Sequence, residues 1–162
     1  MGEWNRSTTK VTLDKIRSEQ MGVIQEHIEA YDLGSILDDY LICIETISRV
    51  KKKKLFGGGI PNQTIQVAII TPRWLVMGTQ GDKPDSTGVL SIQLKDAIAK
   101  DYKDDPGYKL IPDTGVTVTG AYTGSVGMHG SSFISSFIAL GEEPVAGEFV
   151  EMLFGSIQKA KE

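Results

Sequence analysis

The densest patch of one chemistry in this chain is cationic. Arg49 and the run Lys51-Lys52-Lys53-Lys54 stand just ahead of Gly57-Gly58-Gly59. Ammonium groups at this density recognise anionic lipid or another acidic partner. In an extended tract, alternation turns only half of the lysines to one face. Each contributes about 1 kcal/mol near an anionic membrane, so the tract supplies roughly 2 kcal/mol against the roughly 4 kcal/mol that millimolar binding requires. One copy does not hold itself on a membrane, whereas a ring or dimer does so through avidity. The plainer reading is a solvated hairpin whose charges discourage edge-to-edge pairing.

The second conspicuous stretch is GAYTGSVGMHGSSF, with glycines at 120, 124, 127 and 130. A phosphate-cradling Walker loop needs Gly-x4-Gly-Lys-Ser/Thr opening a helix, and this stretch contains no lysine. The Rossmann spacing fails as well. A flexible or bulged hairpin is expected here, with Gly124, Gly127 and His129 as candidate partner-contact residues. His27 and His129 lie far apart in sequence and form neither a metal cluster nor a relay. Ser125 directly follows Gly124, where a nucleophile elbow requires a spacer. Cys43 sits in an apolar run and reads as a buried small hydrophobe. Asp38-Asp39 and Asp104-Asp105 lack the ligand spacing of a calcium loop and suit turns or caps. The sequence therefore predicts no catalytic residue, metal site or cofactor.

Composition narrows the classes further. The 162 residues are 40% apolar and 23% charged, an ordinary soluble mixture, and 17 basic against 21 acidic side chains leave a net charge of −4. Nucleic acid is not expected as a partner, since phosphate binding favours positive potential. A lone cysteine excludes an internal disulfide framework. The longest apolar runs, such as Val67-Ala68-Ile69-Ile70, are strand-sized, and the start MGEWNRSTTK has no apolar core of a secretion signal. Gly2 falls short of a myristoylation pattern, because Arg6 stands where Ser or Thr is needed. A cytoplasmic protein is expected, at most peripheral at the inner membrane surface.

Elements follow from periodicity. Leu13, Ile16, Gln20, Ile24, Ile28 and Tyr31 recur at helical steps behind a capping Thr12, and Gly34 ends the pattern. This predicts a polar tail carrying Trp4, followed by an amphipathic helix, over residues 1–34. Seven β-type runs then follow in series: Tyr40–Val50, Thr64–Thr71, Trp74–Thr79, Gly88–Gln93, Ala97–Tyr102, Val116–Thr119 and Ser132–Leu140. Serial strands joined by short turns favour an antiparallel sandwich or barrel. A last helix starts near Pro144, with Phe149, Met152, Leu153, Ile157 and Ala160 on one face.

The segments VAIITPRWLVMGTQ, GVLSIQLKDAIAKDY and EEPVAGEFVEMLFGSIQKAKE resemble, in that order, the second and third strands, the fourth strand with the step into the fifth, and the terminal helix of bacterial pleckstrin-homology-like (PH-like) domains. The resemblance spans residues 35–162 and rests on element order and hydrophobic spacing. It implies a mainly β fold with flanking helices: a seven-stranded, partly open antiparallel barrel capped by the C-terminal helix, plus an N-terminal helix. Many eukaryotic PH domains bind phosphoinositides through basic residues at the first hairpin. Here the entry to the second strand reads Asn62-Gln63-Thr64-Ile65-Gln66, without the second basic jaw. The function expected is a non-enzymatic interaction or assembly module that binds protein partners or itself. Peripheral binding to anionic lipid through Arg49 and Lys51–Lys54 is the alternative, and an unrecognised small-barrel enzyme the second.

Overall fold

The computed structural model describes residues 4–51, 62–82, 86–124 and 131–162. The strands are β1 (Trp4–Lys10), β2 (Ile42–Val50), β3 (Gln63–Ile70), β4 (Trp74–Gln80), β5 (Thr87–Gln93), β6 (Ile98–Asp101), β7 (Gly115–Gly124) and β8 (Ser131–Ala139). Helix α1 covers Ser18–Ala30 and α2 covers Pro144–Ala160. Strands β1 to β5 pair in sequence order, every pair antiparallel. β5 and β6 pair successive stretches of one edge of β7, Tyr122–Gly124 and Val116–Thr119, with the 3₁₀ turn Leu94–Asp96 between them. β8 lines the other edge of β7. The result is a curled antiparallel half-barrel with a C-terminal helix, the PH-like architecture.

β2 through β8 are the seven expected strands, and their β-branched, period-two sequences explain them. Both faces of the central strands are buried, so alternation sorts side chains between two cores. Ile42, Ile44, Ala68 and Ile70 point into the barrel with Phe149, Leu153 and Ile157 of α2. Cys43, Val67, Ile69 and Val76 point outward under α1, where Ile16 and Ile24 cover them. Helix α2 begins on Pro144, whose fixed φ suits the first turn, and its Phe149 and Leu153 are completely enclosed.

The N-terminal third departs from expectation. Residues read as a polar tail form β1, paired with β2 from Trp4↔Val50 to Lys10↔Ile44. Backbone pairing does not require apolar side chains, so an outer strand of polar residues leaves little trace in composition. The helix starts at Ser18, not behind Thr12: Leu13–Lys15 is a 3₁₀ turn, and Ile16 and Arg17 return to extended backbone. Gly34 takes positive φ (72°) after α1, as expected of a chain-reversing glycine.

Side chains close the open side of the curl. Gln66 on β3 donates from Nε2 to Phe137 O (3.1 Å) and accepts the Ala139 N–H at Oε1 (2.9 Å), bracing β8. The outer edge of β1 is occupied where Glu143 accepts the Thr8 N–H and Thr8 Oγ1 accepts the Gly141 N–H. Occupying an edge in this way blocks pairing with a foreign strand at that point.

Candidate functional site

The basic hairpin is the natural starting point. Arg49 and Lys51 both stand exposed beyond the middle of β2. Arg49 donates from Nε to Gln63 Oε1 (3.0 Å), a residue of the stretch Asn62–Gln66 that enters β3 without a basic side chain. Asp82, between β4 and β5, accepts the N–H groups of Asn62 and Gln63, tying the bases of two neighbouring hairpins together. Lys52, Lys53 and Lys54 lie outside the described residues.

Lys51 instead joins a polar cavity of about 580 Å³ with Trp4, Arg6, Asp113, Glu142 and Glu143. The Arg6 guanidinium in this cavity is already committed. Arg6 grips Asp113 through Nε–Oδ1 (2.9 Å) and Nη2–Oδ2 (2.6 Å), and Nη1 donates to Ser48 Oγ. The same group lies 5.4 Å from the Trp4 ring centre and 5.6 Å from that of Phe137. A fork held in this manner supports the join between β1 and the β6–β7 connection and is not presented to an anion. Trp4, which sequence alone could place either on the domain or on a partner, packs on the domain through Arg6.

A second concavity, about 810 Å³, runs between α1 and the segment leading into β2. Half-buried Leu13, Met21, Ile28, Leu37 and Tyr40 form its apolar floor, and exposed Asp14, Glu29 and Asp38 its rim. Thr12, whose side chain hydrogen-bonds to Asp14, lowers the carboxyl pKa of this rim residue. A third, smaller hollow of about 430 Å³ is lined by Pro72, Arg73, Gln93, Lys95, Lys159 and Ala160. Neither hollow is foreseen by sequence reading, because each forms only where separate elements pack together.

Of the glycine-rich stretch, Gly124 is buried at the end of β7. A Cβ there would stand 2.4 Å from Val89 O and 3.2 Å from His27 Cε1. Gly127 and His129 lie outside the described residues. His27 is buried on α1, with Nε2 2.8 Å from Ser91 Oγ. This pair has the reach of a histidine activating a serine. Ser91 is completely enclosed, however, and no carboxylate among the described residues bonds the other ring nitrogen, so the pair serves packing. Burial pushes the Cys43 thiol up to about 12, far from a nucleophile's range. Among the described residues no three His, Cys, Asp or Glu side chains are grouped to hold a metal ion, and no helix is long and apolar enough to cross a membrane.

No protein-family model, curated protein or solved structure matches this chain.

Proposed function

We propose that this chain is a non-enzymatic PH-like module that works by contact, binding protein partners or further copies of itself. The observation that carries this reading is the exposure of large aliphatic side chains on β6 and on the connection from β6 to β7. Ile98 on the outer strand β6 is 61% exposed, and Leu110 and Ile111 on the connection to β7 are 86% and 69% exposed. Large aliphatic side chains standing in water favour association. The titratable and nucleophilic groups of the interior support the same reading, since Arg6, His27 and Cys43 are engaged in holding the fold. A cytoplasmic setting is proposed with it, where a single reduced cysteine is chemically ordinary.

The test pairs light scattering with affinity capture from native lysate, with and without detergent. The wild type is expected to self-associate at micromolar concentration or to retain protein partners in both conditions. Replacing Leu110 and Ile111 with Ser is expected to remove the partners that this flank retains. A strict monomer that captures nothing, or capture that detergent abolishes entirely, overturns the reading.

A further inference from the structure

Charge is segregated along this chain to an unusual degree. Residues 18–48 contain Glu19, Glu26, Glu29, Asp32, Asp38, Asp39 and Glu45, and no lysine or arginine. The next six residues contain Arg49 and Lys51–Lys54 and no acid, and Leu55-Phe56 follow directly. The fold gathers the acidic segment on one surface. The acidic segment forms most of the apolar groove rimmed by Asp14, Glu29 and Asp38, and no basic side chain is among its described lining residues. The basic segment begins at the far end of β2.

We infer that the groove between α1 and the approach to β2 receives the Lys51–Phe56 tract of a second copy of this chain, lysines against the carboxylate rim and Leu55-Phe56 toward the apolar floor. This rests on the self-associating half of the function proposed above. Charge complementarity selects the occupant: four cations followed by two large apolar residues match an apolar trough edged by three carboxylates.

Chain length puts the Tyr40 end of the groove beyond the reach of the tract in the same chain. Tyr40, in the groove wall, precedes the nine residues of β2, and Lys51 follows them. At about 3.3 Å per residue, β2 separates the two by roughly 30 Å. The described residues flanking positions 52–61 are joined, the Val50 N–H bonding to Asn62 O. A closed ten-residue loop extends at most about 17 Å from its base, half its contour. The tract therefore does not reach the Tyr40 end of its own groove, and contact along the full length of the groove is left to a second copy. Two different surfaces meeting head to tail give a heterologous contact, which builds rings when the rotation closes and filaments when it does not.

The test uses the full chain. One variant replaces Lys51, Lys52, Lys53 and Lys54 with Gln; the other carries Asp14→Asn, Glu29→Gln and Asp38→Asn. All the described positions changed are exposed, so folding is checked simply by circular dichroism. Light scattering from about 1 to about 100 µM should show wild-type mass rising with concentration. Each variant should weaken association at least about tenfold, as should raising salt from about 0.05 to about 0.5 M. Mixing the two variants should restore one live contact and stop at a 1:1 dimer. If either variant assembles like the wild type, another surface carries assembly and this inference falls while the proposed function stands. A wild type that stays monomeric throughout removes both this contact and self-association. Vesicles of anionic lipid that bind the wild type but not the lysine variant, with assembly unchanged between them, assign the tract to lipid and overturn the inference.

Discussion

His27 on α1 and Ser91 on β5 meet as a buried pair, Nε2 to Oγ at 2.8 Å, and this contact fastens the helix to the outer face of the sheet. Tyr31 packs against the imidazole, ring centres 4.9 Å apart. Burial lowers the His27 pKa from its ordinary 6.5. The unfolded chain therefore takes up this proton more readily than the folded one, and stability falls as pH drops through about 6.5 and is full above it. Thermal unfolding should show a lower Tm near pH 5.5 than near pH 7.5, and His27→Gln should flatten that difference. His27→Ala, which strands the Ser91 hydroxyl, should cost about 1–3 kcal/mol at either pH.

The Arg6–Asp113 pair joins positions 107 residues apart, with both side chains largely shielded, at 11% and 15% exposure. Removing one partner leaves the other charge half-desolvated. Arg6→Ala and Asp113→Ala should each destabilise by about 2–4 kcal/mol, and the double variant by clearly less than the sum. Urea unfolding of the four proteins in a cycle checks the coupling.

Two glycines should respond to alanine with opposite signs. At Gly120 a Cβ would fall 2.4 Å from Ile92 Cδ1 and 2.6 Å from Asp96 O, so Gly120→Ala should lose about 1–3 kcal/mol through forced movement of backbone. Gly147 lies within α2 with nothing within 4 Å of the added carbon, and Gly147→Ala should gain about 0.5–1 kcal/mol. Denaturant midpoints at constant m report both.

Cys43 should be inert in the native protein. With burial pushing its thiol to about 12, the thiolate fraction near pH 8 is about one in ten thousand, and the side chain has no exposed surface. An aromatic disulfide reagent should label it stoichiometrically in denaturant and negligibly without. Rapid native labelling would contradict the packing of Cys43 beneath α1.

Local patterning by itself determined much of this protein. The seven strands β2 to β8, the gap between the β5 and β6 runs, the turn at Gly34 and the amphipathic α2 with Phe149, Leu153 and Ile157 all follow from side-chain alternation and turn chemistry. Those signals act over a few residues and are therefore written in the chain. Cys43 as a buried hydrophobe follows in the same way.

The tertiary structure decided what depends on distant partners. β1 is polar, and the backbone of β2 makes it a strand. His27 faces inward on α1 because Ser91 Oγ awaits it there, a fact that helical periodicity does not contain. Arg49 ended on Gln63, while Lys51 joined Arg6 and Glu143 around one cavity. The acidic groove exists only once Leu13, Ile28 and Tyr40 are brought to a common wall. Hydrogen-bond partners and concave surfaces are properties of register and chain crossing. Both are set by burying two cores at once, and that global minimum is not a sum of local preferences.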